Sequence, residues 1–249
     1  MFIIRKAVWR FLPETLKRLA NRMLLGDFSR FSVENPRRFD WDDIDDAKRS
    51  ILWYDDWEEA TKNTIELMQK TGMINAGSFV VDWGCGVGRI ASKLTERFDV
   101  TVLAVDRSTK MLRHALTYIK PQYLGKIALV TDEFVLSHIH LFEKCADLVT
   151  FIEVFQHIPE PVLDQILPRI SRLLKEDGKL FVFGNEQLEI GYNSKDPSSV
   201  EEVIKRHFEL EKSQVTFHHY AVKVANLVKD TRARYSFVAK SAHVGVVDT

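Results

Sequence analysis

One stretch, residues 80–94, most constrains what this chain can fold into. Two β-branched residues, Val80 and Val81, run into Asp82 and then into three glycines at alternate positions, followed by a helix-compatible segment. Glycine is the residue that adopts a positive φ easily or lets a ligand approach bare backbone. The pattern therefore predicts a strand, a tight glycine turn and a helix, with a ligand site at the turn.

The spacing of the glycines narrows the chemistry of that ligand. Gly84, Gly86 and Gly88 depart from the dinucleotide-binding pattern G-x-G-x-x-G. The third glycine of that pattern would fall at Arg89. The carboxylate of Asp82 suits a cationic or hydroxyl-bearing ligand better than a pyrophosphate. A tight turn without a ligand is the alternative interpretation.

Beyond residue 79, short apolar runs rich in Val, Ile and Phe alternate with helical stretches. Such runs are typical of strands buried on both faces, and the alternation predicts a doubly wound α/β sheet that is mostly parallel. Strands are predicted at residues 79–81, 100–105, 127–130, 147–152 and 179–183, and helices at 58–71, 88–97, 108–119, 134–143, 161–175 and 200–208. Two later runs, 210–217 and 233–239, predict strands that pair antiparallel at one sheet edge.

The first 59 residues are predicted to form an N-terminal helical extension or lid, and residues 60–249 a single domain. Residues 2–25 mix apolar and basic side chains, which predicts two short amphipathic helices. These can lie on a membrane surface, pack on their own domain, or contact a second subunit in a homodimer. The aromatic residues that follow, Tyr54 among them, either cover the ligand site or pack on the core surface.

Composition excludes several classes of protein. Lys plus Arg and Asp plus Glu are both 35, so the net charge is zero, which argues against a broad nucleic-acid surface. The only cysteines, Cys85 and Cys145, have neither disulfide nor metal-clip spacing, which favours the cytoplasm. Peripheral membrane attachment through residues 2–25 is the alternative location. His138 and His140 lack a convincing third ligand, so no metal site is predicted.

Ligands of a doubly wound sheet bind beyond the carboxyl ends of its strands. Asp106 follows the second predicted strand and can accept hydrogen bonds from both hydroxyls of a ribose, or cap the following helix. Asp132 follows the third strand and can accept a hydrogen bond from an exocyclic amine. Glu153 and His157 follow the fourth strand, at the mouth of the cleft. Met111 is placed to pack against a flat base, or belongs to the core.

The glycine loop, Asp106, Asp132 and residues 151–159 resemble the class I S-adenosylmethionine-dependent methyltransferases, in particular the branch that acts mostly on small molecules. The resemblance covers about residues 75–185. It implies a seven-stranded sheet whose last strand is antiparallel, with S-adenosylmethionine as cofactor. Asp82 and the glycine-loop backbone would hold the methionine part, Asp106 the ribose, and Asp132 with the backbone of Glu133 the adenine. The complete set of implied cofactor contacts is Asp82, Gly84, Cys85, Gly86, Gly88, Asp106, Arg107, Met111, Asp132, Glu133 and Glu153.

The resemblance implies transfer of a methyl group to an O or N of a small-molecule acceptor. A general base is needed only for a poorly acidic hydroxyl or a protonated amine. His157 is predicted for that role, because its reference pKa of ~6.5 suits proton removal near neutrality. Capping the next helix, or hydrogen bonding to a backbone carbonyl, are its alternatives. Tyr54, His218 and His219 are predicted to contact the acceptor.

Alternative functions follow from the same sequence. The Asn/Asp-Pro-Pro-Tyr/Phe tetrapeptide of the family's nucleobase amino-methylating members is replaced here by Phe-Ile-Glu-Val at residues 151–154, which disfavours a nucleic-acid substrate. The basic N-terminal segment motivates a lipid-linked or glycan acceptor at a membrane surface. A non-catalytic S-adenosylmethionine-binding subunit is a further alternative.

Overall fold

The computed structural model describes residues 40–51, 57–185, 197–221 and 229–241. The predictions for residues 2–25 and for Tyr54 lie outside these ranges. For residues 215–221 and 229–235 only the backbone is described, so the side chains of His218 and His219 lie outside the description as well.

One sheet of seven strands organises the molecule, in the spatial order β3-β2-β1-β4-β5-β7-β6. The strands are β1 (Phe79–Trp83), β2 (Thr101–Asp106), β3 (Ile127–Thr131), β4 (Ala146–Ile152), β5 (Leu174–Asn185), β6 (Phe208–Ala221) and β7 (Lys229–Ser241). Strands β1 to β5 are parallel to one another, whereas β7 runs antiparallel to both of its neighbours, β5 and β6. The predicted doubly wound, mostly parallel sheet with an antiparallel pair at one edge is confirmed.

Helices cover both faces of this sheet. They are α1 (Ile44–Ile51), α2 (Trp57–Lys70), α3 (Arg89–Phe98), α4 (Thr109–Tyr118), α5 (Asp132–Ser137), α6 (Glu160–Leu173) and α7 (Pro197–His207). Buried residues of α2, α3 and α4 pack on one face, and those of α5, α6 and α7 on the other. Val80 and Val81, adjacent on β1, are both fully buried in these opposite layers, as expected for a strand buried on both faces.

Two helix predictions are wrong in extent. The segment 134–143 forms the short helix α5 and a separate 3-10 turn, Ile139–Leu141. The helix ends at His138, whose ring Nδ1 lies 2.9 Å from the Phe134 carbonyl oxygen that also accepts its backbone amide. Exposed Leu141 gives the segment little apolar surface to bury.

The helix predicted over residues 161–175 ends earlier, because α6 ends at Leu173 and residues 174–178 belong to β5. The pairing with β4 shifts from Ala146↔Leu174 to Leu148↔Lys179, so the segment is an irregularity in the ladder. A Cβ at Gly178 would lie 2.7 Å from the Ala146 carbonyl oxygen. Glycine is required there by this close approach rather than by a helix terminus.

The β6–β7 hairpin is longer than the rest of the sheet. Its pairing runs from Phe208↔Ser241 to Ala221↔Lys229. Strand β5 ends earlier, where Asn185 pairs with Arg234. The backbone of residues 229–233 and of their β6 partners therefore extends past the carboxyl end of β5.

The predicted domain boundary between residues 59 and 60 falls inside α2, whose buried side chains Ile65 and Met68 pack against the sheet. The division into two units stays a prediction. None of the helices in the described ranges is long and apolar enough to cross a membrane.

Candidate active site

The glycine loop between β1 and α3 folds back onto β2. Gly84, Gly86 and Gly88 have φ values of 77°, 55° and 75°, a region that other residues enter only with strain. The amides of Gly84 and Cys85 both donate to the Val105 carbonyl oxygen, at 2.7 and 2.9 Å. These two amides are therefore used within the protein, unlike the amides of a loop that cradles phosphate.

Protein atoms occupy the space beside two of these glycines. A Cβ on Gly84 would lie 2.4 Å from Cγ2 of Val154, and a Cβ on Gly88 would lie 2.9 Å from Cδ1 of Ile119. At these two positions glycine allows the loop to pack against its neighbours, in addition to its positive φ. Close approach of a ligand is not needed to explain them.

Asp106, at the end of β2, ties the glycine loop to the neighbouring strand. Its Oδ2 accepts a hydrogen bond from the Gly86 amide at 2.8 Å, and its Oδ1 accepts one from the Ser108 amide at 2.8 Å. The cap of α4 is Ser108, whose hydroxyl accepts from the Met111 amide. Burial raises the pKa of Asp106 to about 6, although both amide hydrogen bonds oppose the shift.

Asp82 is the most deeply placed carboxylate of the site, with 2% of its surface exposed. It lies opposite Thr150 of β4, whose hydroxyl donates to Oδ1 at 2.9 Å. The other oxygen, Oδ2, is buried and meets no donor in hydrogen-bonding geometry among the described residues. Burial raises the pKa of Asp82 to about 6, against the Thr150 hydrogen bond and the charge of Arg89.

Sequence reasoning missed Thr150, although the sequence carried a signal. A hydroxyl stands in the middle of the apolar β4 segment and is completely buried. Because a buried hydroxyl requires a partner, such a residue points to a polar group on a neighbouring strand.

Sequence reasoning also missed Arg89, the first residue of α3, which is only 5% exposed. Its Nη1 donates to the Thr61 hydroxyl at 3.0 Å, and its guanidinium carbon lies 5.4 Å from the Trp57 ring centroid. Burial lowers the pKa of Arg89, whereas the charges of Glu153 and Asp82 raise it. A buried arginine between two carboxylates is a functional-site signal that was available from its position after the third glycine.

The turn after β4 holds Glu153 in an uncommon backbone conformation, with φ at 58°. Its amide donates to the Phe183 carbonyl oxygen at 2.8 Å, and its carboxylate accepts from Gln156 Nε2 at 2.8 Å. Strained, well-anchored backbone of this kind clusters at functional sites. His157 lies in the same turn, and α6 begins after Pro159, so His157 does not cap that helix.

Asp132 begins α5 directly after β3. Its Oδ1 accepts from the Glu133 amide at 2.8 Å, and its Oδ2 accepts from Arg107 Nε at 3.1 Å. The Arg107 side chain is 63% exposed, so this ion pair contributes little to stability. The structure thus brings three of the predicted contacts, Arg107, Asp132 and Glu133, next to one another.

Helix α1 packs beside the glycine loop. Met111 is 3% exposed and clusters with Ala47 and with Val87 of the loop. The carbonyl oxygen of Trp41 lies 2.9 Å from His114 Nε2. A base stacked on Met111 would have to enter among these residues, and its contact with a base stays a prediction. The role of residues 1–59 as a lid over the ligand site also stays a prediction.

The parallel strands bring the carboxylates to one edge of the sheet. Asp82, Asp106, Asp132 and Glu153 lie at the carboxyl ends of β1, β2, β3 and β4 or directly after them. Within the described ranges no group of three or more His, Cys, Asp or Glu side chains is arranged to hold a metal ion. The edge combines acceptors, one buried cation and a loop whose amides point mainly into the protein. This chemistry favours a ligand with positive charge and hydroxyl donors.

A protein family described as 'Methyltransferase domain' matches residues 80–178. These residues span β1 to the start of β5 and contain this edge of the sheet. Over this segment the chain is similar to methyltransferases. The match ends before the β6–β7 hairpin and begins after α2, so it covers the strands that carry the four carboxylates.

Curated proteins that are similar to part of this chain carry methyltransferase names. The ubiquinone biosynthesis O-methyltransferase of Glaesserella parasuis is 30% identical over 108 residues, which cover 43% of this chain and 44% of that protein. Phosphoethanolamine N-methyltransferase 2 of Caenorhabditis elegans is 28% identical over 120 residues, covering 47% of this chain and 26% of that protein. The chain thus matches less than half the length of either relative.

A solved methyltransferase structure shares the fold of this chain. Phosphoethanolamine N-methyltransferase 2 of Haemonchus contortus, in complex with phosphomonomethylethanolamine and S-adenosylhomocysteine, superposes with a TM-score of 0.56 at 19% identity. The superposition covers 72% of this chain and 52% of that one. The predicted resemblance to class I methyltransferases is confirmed for the domain and its fold.

Proposed function

We propose that this protein is an S-adenosylmethionine-dependent methyltransferase that transfers a methyl group to an O or N of a small molecule. The observation that carries the proposal is the edge of the methyltransferase domain, where carboxylates follow four neighbouring strands around a glycine loop. The zero net charge supports a small acceptor over a nucleic acid.

The residues present fit this cofactor. Among the described residues Asp82 Oδ2 is buried and meets no donor in hydrogen-bonding geometry, and the ammonium group of the cofactor's amino-acid end would supply one. Each Asp106 oxygen accepts one protein amide and retains a lone pair, so the carboxylate can still accept two ribose hydroxyls. Asp132 and the Glu133 backbone are assigned to adenine. The other proposed contacts are Gly84, Cys85, Gly86, Gly88, Arg107, Met111 and Glu153.

When bound, S-adenosylmethionine supplies an electrophilic methyl group on a sulfonium. The contribution of this chain is to orient the two reactants and to exclude water. Oriented reactions gain roughly 7–11 kcal/mol in this way. The buried Asp82 and the Asp106-anchored glycine loop fix one reactant, and the turn containing Glu153 and His157 faces the other.

We expect Asp106→Ala to weaken S-adenosylhomocysteine binding by about 1–3 kcal/mol, because hydrogen bonds to a charged group are lost. Loss of the Gly86 amide partner also loosens the loop, which acts in the same direction. Isothermal titration of the purified variant and wild type measures the difference. Unchanged affinity would refute the ribose assignment.

Asp147→Ala is the matched control for that titration. Asp147 likewise accepts a hydrogen bond from the backbone of the β1 region, the Phe79 amide at 2.8 Å. It lies at the opposite end of β1 from the glycine loop, so its loss should leave ligand affinity unchanged. If both variants lose affinity equally, the effect is a general loosening of the sheet and the assignment fails.

We expect His157→Ala to lower kcat by about 100-fold or more if His157 is the general base. Cofactor affinity should stay nearly intact, because no cofactor contact is assigned to this side chain. The measurement is kcat against pH, with His157→Gln as the variant that preserves size. Full activity of His157→Ala would remove the residue as the base.

The acceptor panel follows from the relatives. The names of those relatives point to O-methylation in ubiquinone biosynthesis and N-methylation of phosphoethanolamine, so hydroxyl-bearing precursors of ubiquinone and phosphoethanolamine itself are tested first. Backbone placement supports His218 and His219 as acceptor contacts, because their strand belongs to the hairpin that extends past β5. Tight cofactor binding without turnover on any acceptor would favour the non-catalytic subunit instead.

Three finer assignments also belong to this proposal. Residues 2–25 are proposed to contact a membrane surface or a second copy of the chain, and Tyr54 the acceptor. The basic, amphipathic composition of residues 2–25 supports the first assignment. A cytoplasmic location is supported by the absence of disulfide-like cysteine spacing.

A further inference from the structure

Arg89 has more hydrogen-bonding capacity than the protein uses. A guanidinium carries five N–H donors. Among the described residues only Nη1 of Arg89 makes a hydrogen bond, to the Thr61 hydroxyl at 3.0 Å. The side chain is nevertheless 5% exposed and stacked over Trp57. A buried cation with unused donors is costly unless an anionic acceptor joins it.

Asp82 has the complementary property, an acceptor oxygen that lacks a donor within the described part of the chain. Among the described residues its Oδ2 is buried and meets no donor in hydrogen-bonding geometry, although the Ala91 amide acts to lower the pKa of Asp82. The charges of Asp82 and Arg89 influence each other's pKa. The two side chains act on each other through their charges, while among the described residues the hydrogen bond of Arg89 goes to Thr61 and that of Asp82 comes from Thr150. The site therefore offers a buried acceptor and a buried multi-donor cation that are electrostatically coupled yet separate.

An α-amino acid group matches this arrangement, because it carries an ammonium and a carboxylate on one carbon. We propose that Arg89 binds the α-carboxylate of the cofactor's amino-acid end, while Asp82 receives the ammonium. The proposal rests on the proposed function. Arg89 is thereby a specificity-determining residue that favours ligands retaining the carboxylate.

The surroundings of Arg89 hold the guanidinium in place for this contact. The Trp57 indole N–H donates to the Tyr118 hydroxyl at 3.0 Å, which fixes the ring that Arg89 stacks on. Two further carboxylates act on Arg89: Glu153, which already accepts a hydrogen bond from Gln156, and Glu58, whose influence is weaker. A guanidinium–carboxylate pair is planar and bidentate, and it is strongest where water is excluded.

The test is a two-by-two comparison of ligand and variant by isothermal titration. The ligands are S-adenosylhomocysteine and its decarboxylated analogue, which keeps the amine and lacks only the carboxylate. We expect Arg89→Met to weaken binding of S-adenosylhomocysteine by about 10- to 100-fold, the range for a lost charged hydrogen-bonded contact. Affinity for the decarboxylated analogue should change less than about threefold, since that ligand never engages Arg89.

Arg97→Met is the matched control, because Arg97 lies on the same helix and also bridges to α2, through Gln69 at 2.7 Å. Its preference for the carboxylate-bearing ligand should equal that of wild type. Arg89→Lys keeps the positive charge but lacks the paired N–H groups of the guanidinium. The preference of this variant for the carboxylate-bearing ligand should therefore be intermediate. The ratio of the two affinities is measured within each variant, so a general loss of stability does not imitate the effect.

Each outcome decides one question. An Arg89→Met variant that loses affinity for both ligands equally, or for neither, overturns the carboxylate contact. If Arg89→Met does not fold, an unchanged ligand preference in Arg89→Lys overturns it in the same way. Failure of the wild type to bind S-adenosylhomocysteine contradicts the proposed function instead.

Discussion

Gly84→Ala is expected to destabilise the protein by about 2–5 kcal/mol, the sum of a left-handed backbone cost and overpacking. The φ of 77° at Gly84 penalises any Cβ, and the added atom would meet Cγ2 of Val154 at 2.4 Å. Val154 is β-branched and therefore stiff, so the strand-end turn must shift to make room. Urea unfolding of the variant and wild type measures the difference in free energy of unfolding.

Two further variants separate the causes. Gly72→Ala has nearly the same φ, 70°, with no heavy atom within 4 Å of the added Cβ, so it reports the backbone cost alone. Val154→Ala removes both clashing methyl groups, and the double variant should be more stable than the sum of the single changes implies. If Gly84→Ala and Gly72→Ala lower the free energy of unfolding equally, the packing against Val154 does not contribute to the loss.

Asp82→Asn is expected to change how stability depends on pH. Burial raises the pKa of folded Asp82 from 3.8 to about 6, so between these values the folded state holds a proton that the unfolded state releases. The wild-type free energy of unfolding therefore falls as pH rises through this window. A shift of about two units corresponds to about 3 kcal/mol, which the non-titrating Asn variant should not lose.

The measurement is the difference in free energy of unfolding between Asp82→Asn and wild type at intervals from pH 4 to 8. The difference should increase in favour of the variant up to about pH 6 and then level off. Asp147→Asn is a control in which the pH dependence of the stability difference should have the opposite sign. Burial opposes the shift, but hydrogen bonds from Lys175 and the Phe79 amide lower the pKa of Asp147. A flat difference for Asp82→Asn would contradict the raised pKa of the buried Asp82 carboxyl group.

Much of the fold was predictable because its signals are local. The apolar runs that became β1 to β5 are short and continuous, and each is followed by a helical period, which only a parallel sheet accommodates. The carboxylates at the strand ends were predictable for a related reason. The carboxyl ends of parallel strands necessarily meet at one edge, so Asp106, Asp132 and Glu153 could be assigned to one cleft before their positions were known.

Where local signals misled, a contact distant in the chain decided the outcome. Residues 175–178 have the composition of a helix terminus, yet Gly178 is set by the Ala146 carbonyl oxygen on the neighbouring strand. The helix expected over 134–143 ends at Ser137, where the ring and the amide of His138 both lie against the Phe134 carbonyl oxygen. Neither contact is visible in composition or periodicity.

The sequence by itself determined the order of strands and helices, the glycine loop and the carboxylates of the site, since these depend on residue type and on spacing along the chain. Only the tertiary structure decided which side chains form hydrogen bonds or pack against one another. Thr150 reaches Asp82 across 68 positions, Thr61 holds Arg89 across 28, and Val154 fills the space beside Gly84. The physical reason is that hydrogen bonding and packing act at a few ångströms in space, whatever the separation in sequence.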